Sequence, residues 1–270
     1  MKERKTDLKK YLNWLKKNNF STKTVNTYKK TLNKYIDAVS LTCKGIIKFV
    51  KQINKKIEPI TCKNYLAALN SFAKFKKINI DWNKVKKFIP KVQKKFYVTV
   101  DKSELEKLKL VRFEESDWLY KRNNLILDFL FYTGVRVSEL INIKYKDLKN
   151  NNLKILGKGN KIRYVLLPMF LNQKNNKNNN SKYLFPNNQR RRLHPENVRE
   201  IIHLRTKLTD IKKTITPHTF RRSLATNLYN KGSRLETIQK QLGHNNIQST
   251  LDYINNDYGT LYQDYSKLWT

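Results

Sequence analysis

The chain has 270 residues, with 57 lysines and arginines against 21 aspartates and glutamates and a formal charge of +36 at pH 7. This length suits two domains, and so large a positive excess indicates a polyanion as partner, although an AT-rich genome would also enrich lysine. With only Cys43 and Cys62 present, neither a disulfide framework nor a zinc site is predicted. We find no secretory leader and no apolar run of membrane-spanning length, which predicts a cytoplasmic protein without a membrane partner.

The first ninety residues have the pattern of helices. Apolar side chains recur at helical spacing in residues 8–15, 25–36 and 62–73. Each apolar stripe needs a neighbour that buries it, so we predict a small helical bundle over residues 1–92.

From residue 84 the helical pattern ends in a basic stretch, and we predict an interdomain linker at residues 93–100. The second domain is predicted to span residues 101–270. A helix opens it, with Asp101 or Ser103 as the N-terminal cap.

The middle of the second domain combines helix and strand signals. Residues 123–133 are nearly all apolar and predict a core helix that ends at Gly134. Residues 153–168 hold two β-rich runs around a Gly-Lys-Gly-Asn turn, which is typical of a hairpin. The Asn-rich residues 172–182 predict a flexible loop. The predicted fold class is mainly α with a small β-sheet, an α+β domain that follows an N-terminal helical bundle.

Helical spacing resumes in the C-terminal third. We predict a helix over residues 197–208, a second over 217–230 with Thr216 as its cap, and a third that ends at Gly243. A last helix has an apolar stripe formed by Ile247, Leu251 and Ile254. At 100° per residue, Tyr253 on this helix would point away from the core.

Tyr253 is the candidate nucleophile. A phenol has a pKa of about 10, so it needs neighbouring cations that favour its phenolate character. His218 and Arg221 lie three residues apart on one predicted helix, where the planar guanidinium suits a two-point contact with phosphate. Arg222 is expected to point well away from the apolar stripe of that helix.

Two further residues could support chemistry at a phosphate. Arg136 lies at a predicted helix junction, near free backbone N–H groups, with Glu139 close enough to orient it. Lys158, at the tip of the predicted hairpin, could give a proton to a leaving oxygen. Taken singly, each of these side chains is more often a packing or surface residue, and their joint order and spacing are what favour a catalytic site.

Four motifs occur in a fixed order: TGVRVSEL, GKGNKIRYVLLP, HTFRRSLATNLYNKG and LGHNNIQSTLDYIN, the last with nine residues from His244 to Tyr253. Together they resemble the tyrosine recombinases, the phage-integrase and Xer-type site-specific recombinases. The resemblance runs from about residue 100 to the C-terminus. It implies a catalytic domain at 101–270, and residues 1–92 are compatible with the family's core-binding, DNA-binding domain.

Carried over to this chain, the resemblance implies a six-residue active site: Arg136, Lys158, His218, Arg221, His244 and the nucleophile Tyr253. Lys158 is chosen over Lys161 because it is the first lysine of the hairpin motif. Arg222 stands where many relatives have a second histidine, so it would adjoin the site without belonging to it.

The implied reaction is a transesterification on double-stranded DNA through a 3′-phosphotyrosyl link, with no ATP, no metal and no other cofactor. The resemblance also implies four protomers on two DNA sites. It leaves open whether a related recombinase is a partner, and whether the outcome is dimer resolution, integration, excision or inversion. An apolar stripe after the nucleophile could dock on a neighbouring subunit or on its own domain; its residues are Leu261, Tyr265 and Trp269.

Two alternatives share much of this sequence pattern. A non-cutting architectural or regulatory DNA-binding protein could use the same scaffold, although the complete set of six residues disfavours it. A type IB topoisomerase would share the chemistry but would relax supercoils without a preferred sequence.

Overall fold

The computed structural model describes residues 2–37, 39–89, 97–157, 161–173, 181–254 and 266. The chain forms two compact units, residues 1–95 and 96–270. The predicted division into residues 1–92, 93–100 and 101–270, and the DNA-binding role of the first segment, stay predictions. The predictions for Lys158, for most of the Asn-rich loop and for the stripe Leu261, Tyr265 and Trp269 lie outside the described residues.

The first unit is a helical bundle. Its helices are α1 (Lys2–Lys17), α2 (Thr22–Tyr35), α3 (Cys43–Ile53), α4 (Pro59–Phe75) and α5 (Trp82–Lys86). Their apolar stripes meet in one core that includes Tyr11, Leu32 and Leu69. The short α5 lies where the sequence pattern suggested that helices end. It forms because the Asp81 carboxylate accepts hydrogen bonds from the first free backbone N–H groups of that helix.

The second unit joins a larger set of helices to a small sheet. The helices are α6 (Lys102–Leu110), α7 (Asp117–Thr133), α8 (Val137–Leu140), α9 (Met169–Gln173), α10 (Pro195–Lys207), α11 (Pro217–Asn230), α12 (Leu235–Leu242) and α13 (Gln248–Leu251). The strands are β1 (Leu148–Lys149), β2 (Asn152–Leu156) and β3 (Ile162–Leu166), antiparallel in the order β1-β2-β3. The predicted fold class, mainly α with a small sheet, is confirmed.

The predicted helix boundaries rest on local capping, and the structure confirms several of them. Asp101 caps α6 and forms a capping box with Glu104. Thr216 caps α11, whose first turn contains Pro217. Gly134, at the end of α7, has a φ of 61°, a left-handed conformation that favours glycine.

Helix α7 lies at the centre of the second core. Its residues 126–131 are all buried, and Phe129 packs edge-on against Phe185 with ring centroids 5.1 Å apart. Because α7 is enclosed, its C-terminal end holds the start of α8 in a defined place.

The predicted hairpin is present as β2 and β3. Leu153 pairs with Val165, and Ile155 pairs with Arg163. Successive side chains of a strand point to opposite faces, so Arg163 shares the inner face of β3 with the buried Val165. A charged side chain on the inner face of the sheet requires a partner there.

The prediction that a helix carries Tyr253 is wrong. Helix α13 ends at Leu251, and the Tyr253 N–H donates to the Thr250 carbonyl in a tight turn. Tyr253 is half-buried and packs against a cluster formed by α11 and α12.

In the described part of the chain, no helix combines the length and apolar character needed to cross a membrane.

A buried ion pair ties α10 to the segment after α6. Arg205 is fully buried, its Nη2 donates to Glu114 Oε1 at 2.6 Å, and its Nη1 donates to the Leu108 carbonyl at 3.1 Å. The Asn123 amide donates to the same Glu114 oxygen at 2.7 Å. The carboxylate and the guanidinium are therefore both desolvated and depend on each other.

We predict that Arg205→Met lowers the free energy of unfolding of the second unit by about 3 to 5 kcal/mol, because it leaves the buried carboxylate unpaired. Denaturant unfolding of the full chain, with hydrogen exchange to assign the loss to α10, measures it. Arg199→Met is the matched control on α10, since its pair with Glu196 is exposed and should contribute less than about 1 kcal/mol. Equal losses in the two variants would contradict the prediction.

Candidate active site

The turn between α7 and α8 positions Arg136. Its backbone N–H donates to Glu139 Oε2 at 2.8 Å, and its Nη1 donates to Glu139 Oε1 at 3.0 Å. The expectation that Glu139 orients Arg136 is confirmed. Arg136 keeps 39% of its side-chain surface exposed, whereas Glu139 keeps only 6%. The guanidinium thus lies at the surface on a buried carboxylate support.

Arg163, which the sequence analysis did not single out, holds the other side of Glu139. Its Nη1 donates to Oε1 at 2.8 Å and its Nη2 to Oε2 at 2.9 Å. Burial alone would raise the pKa of the Glu139 carboxyl, but the hydrogen bonds from Arg163 and from the Arg136 backbone lower this pKa to about 2. Glu139 is therefore ionised at neutral pH.

Arg221 lies inside the core, with 1% of its surface exposed. Its Nη1 donates to the Gly134 carbonyl at 2.6 Å, and its Nη2 to the Leu242 carbonyl at 2.5 Å. These carbonyls lie at the C-terminal ends of α7 and α12, where the helix dipole favours a cation. Burial, and next the charge of Arg136, lower the pKa of Arg221 to about 10, so it stays protonated at neutral pH.

His244 and Tyr253 lie beside this guanidinium. Their ring centroids are 4.9 Å apart and nearly perpendicular, and Arg221 Cζ is 6.0 Å from the centroid of the Tyr253 ring. His244 Nδ1 is 2.9 Å from the Thr250 hydroxyl. Burial, followed by the charges of Arg221 and Arg136, lowers the pKa of His244 to about 4. The imidazole is therefore neutral in the free protein at neutral pH.

His218 is exposed in the first turn of α11. Partial shielding from water lowers its pKa, and the charges of Arg221, Arg222 and Arg136 lower it further. It thus shares the positive environment of the other residues.

For the predicted Lys158 the structure describes only the flanking residues. The Gly157 N–H donates to the Lys161 carbonyl at 2.8 Å.

Arg222, which was expected to adjoin the site, lies beside Tyr253. Its Cζ lies 3.8 Å from the centroid of the Tyr97 ring and 5.8 Å from that of Tyr253. The segment around Tyr97 packs along α11, because the Val100 N–H donates to the buried Ser223 hydroxyl at 2.6 Å. Two aromatic faces therefore hold the guanidinium beside the tyrosine.

The structure brings together most of the predicted site. Arg221 and His244 lie against the Tyr253 ring. Arg136 and His218 lie close enough to Arg221 to interact with it electrostatically. Strand alternation did not indicate Arg163, because the alternate positions Ile162, Tyr164 and Leu166 are all apolar and yet exposed. Within the residues that the structure describes, no three His, Cys, Asp or Glu side chains group as metal ligands would.

The sequence model of the phage integrase family matches residues 99–259, more than half of the chain. The chain belongs to this family. Tyrosine recombinase XerC of Leptospira interrogans is 28% identical over 91% of this chain and 87% of that protein. A tyrosine recombinase of Thermosipho africanus is 29% identical over 87% of this chain and 89% of that protein. The chain is thus a DNA strand-exchange enzyme of the tyrosine recombinase type, which needs neither metal nor ATP.

Solved structures of the family have the same fold. XerH recombinase bound to its difH substrate, in a pre-cleavage complex, is 25% identical with a TM-score of 0.68, over 91% of this chain and 79% of that one. A lambda integrase dimer bound to a core site is 16% identical with a TM-score of 0.73, over 93% of this chain and 76% of that one. The match covers most of both chains, including the region before residue 99.

We predict that the His244 ring in the DNA-free protein titrates near pH 4, measured by NMR with His244→Gln to assign the signal. Arg136→Gln should raise this pKa, because one of the cations that oppose protonation is removed. An unfolded histidine takes up its proton at about pH 6.5. Acidification from there to pH 4 therefore favours the unfolded chain. A His244 midpoint at the ordinary value would contradict the predicted electrostatics.

Proposed function

We propose that this protein is a site-specific tyrosine recombinase that cleaves and rejoins duplex DNA through a covalent 3′-phosphotyrosyl intermediate at Tyr253. The observation that carries the proposal is the position of the phenol. Tyr253 packs against His244 and the buried Arg221, and Arg136 interacts electrostatically with both of these neighbours. The guanidinium carbons of Arg221 and Arg222 lie 6.0 and 5.8 Å from the Tyr253 ring centroid, an environment that an ordinary surface tyrosine lacks.

In the first step the Tyr253 oxygen attacks the scissile phosphorus, the Tyr–O–P bond forms and the bond from phosphorus to the 5′ oxygen breaks. The phenol proton passes to His218, and Lys158 gives a proton to the departing 5′ oxygen. In the second step the 5′ hydroxyl of the exchanged strand attacks phosphorus and releases the tyrosine. One phosphoester bond forms for each that breaks, so the energy of the linkage is conserved.

Charge stabilisation comes from Arg136, Arg221 and His244, which would hydrogen-bond the non-bridging oxygens. Arg221 uses one N–H of each terminal nitrogen on a carbonyl, and its buried Nε has no hydrogen-bond partner among the described residues. A buried, unpaired donor is unfavourable by itself and favours the arrival of an anion. If Thr250 donates to His244 Nδ1, the ring proton stays on Nε2 and can be donated to phosphate.

The proposed substrate and assembly follow from charge and from the relatives. The formal charge of +36 suits a double-stranded DNA backbone. Lambda integrase has been crystallised as a tetramer bound to a Holliday junction, and we propose four protomers on two sites for this chain. Dimer resolution, integration, excision and inversion would use the same chemistry and differ in where the sites lie. Since the DNA is intracellular, a cytoplasmic location stays our prediction.

Tyr253→Phe should abolish covalent attachment to a nicked recognition duplex while duplex affinity stays nearly unchanged. The phenol oxygen forms the bond to phosphorus and contributes little to DNA binding. Tyr229→Phe, a half-buried tyrosine of α11, is the control and should still form the adduct. Denaturing gels detect the adduct. If Tyr253→Phe still formed it, the assignment of the nucleophile would fail; a wild type that never forms it would favour the non-cutting DNA-binding protein.

Arg221→Lys should slow single-turnover cleavage by about 10²- to 10³-fold, as the loss of one charge-stabilising group commonly does. An ammonium group cannot bridge the Gly134 and Leu242 carbonyls and also make a two-point contact with phosphate. Arg234→Lys, at the exposed N-cap of α12, is the matched control. A cleavage rate near wild type for Arg221→Lys would contradict the phosphate contact.

A further inference from the structure

We propose that Arg163 is a positioning residue: its two-point contact with Glu139 keeps the donors of Arg136 available for the scissile phosphate. The proposal rests on the function proposed above. Arg163 touches neither the predicted nucleophile nor the predicted substrate site through any hydrogen bond described for it, so it acts through its neighbours. Three observations carry this inference.

The first observation is how the hydrogen bonds at Glu139 are divided. Each carboxylate oxygen accepts one bond from the Arg163 fork. Oε1 also accepts from Arg136 Nη1, and Oε2 accepts from the Arg136 backbone N–H. With both oxygens occupied, the carboxylate cannot rotate to make its own fork with the Arg136 guanidinium. One terminal nitrogen of Arg136 is held, and the rest of its donors stay unused by Glu139.

The second observation is the balance of charge. Without Arg163, a carboxylate with 6% of its surface exposed would face Arg136 alone and neutralise it. With Arg163, whose side chain is 16% exposed, the three groups together carry one net positive charge. Arg136 is the most exposed of the three, at 39%. The surplus charge therefore lies on the side where a DNA phosphate could approach.

The third observation is the contact between Arg163 and the residue before His244. A Cβ atom on Gly243 would lie 2.5 Å from both Cδ and Nε of Arg163, so a side chain at this position would displace Arg163. The strand is also fastened to α12, because Gln241 accepts from the Leu166 N–H at 3.0 Å and donates to its carbonyl at 3.1 Å. Arg163 thus connects the hairpin to the loop of Arg136 and to the start of the His244 segment.

The test compares single-turnover cleavage of two nicked duplexes, one with a normal phosphodiester and one with a neutral methylphosphonate at the scissile position. On the phosphodiester, Arg163→Met should be slowed by about 10²-fold, as for a misplaced catalytic group, with duplex affinity unchanged. On the methylphosphonate most of this loss should disappear, because a methyl group replaces the charged oxygen that Arg136 would stabilise. Arg163→Lys, which keeps the charge but loses the fork, should fall between Arg163→Met and wild type.

Val165→Ala is the matched structural control, since Val165 is fully buried on the same face of β3. This variant should change the cleavage rates of both substrates by the same factor. A double-mutant cycle adds a second measure. In a variant that already carries Glu139→Gln, Arg163→Met should reduce the cleavage rate little further, because the two residues act in one chain of contacts.

Three results would overturn the proposal. In the first, Arg163→Met cleaves the phosphodiester at the wild-type rate. In the second, it slows cleavage of both substrates by the same factor, as Val165→Ala does. In the third, its effect on the cleavage rate adds fully to that of Glu139→Gln. If Arg163→Met does not fold, Arg163→Lys is compared on the same two substrates and decides in the same way. A wild type that forms no tyrosyl adduct would overturn the recombinase function itself, a different result from any of these three.

Discussion

The burial of Arg221 is the constraint on which the rest of the catalytic unit depends. A guanidinium with 1% of its surface exposed must be satisfied by the protein, and the carbonyls that end α7 and α12 do this. Those helix ends carry Arg136 and His244 a few residues further on. Placing one cation in the core thus brings two distant parts of the chain together, where Tyr253 follows in a turn.

The site gathers positive charge with little compensation. Glu139 is shared by Arg136 and Arg163, while the hydrogen-bond partners of Arg221 among the described residues are neutral carbonyls. Burial, and next the neighbouring positive charges, lower the pKa values of Arg221 and His244, so the charged forms of both groups are disfavoured in the free protein. An arriving phosphate would relieve this repulsion. The same unbalanced charge that reduces stability would therefore favour binding and the charged transition state.

Local signals predicted the elements well, because capping and strand alternation involve only a few neighbouring residues. The cap at Asp101, the end of α7 at Gly134 and the β2–β3 hairpin are examples. Periodicity failed at Tyr253, where the helix stops after a single turn and packing against α11 and α12 places the ring. Periodicity also gave no sign of the ring that Arg222 contacts, since Tyr97 approaches from a remote part of the chain.

By itself the sequence determined which residue types are present and in what order: two arginines, two histidines and a tyrosine at spacings that predict phosphate chemistry, with a lysine in a hairpin turn. Tertiary structure alone decided that Arg221 is buried, that Arg163 shares the Glu139 carboxylate and that Arg222 lies between two aromatic rings. The reason is physical. Order and spacing are properties of the chain, whereas burial and charge pairing depend on which remote segments the packed core brings into contact.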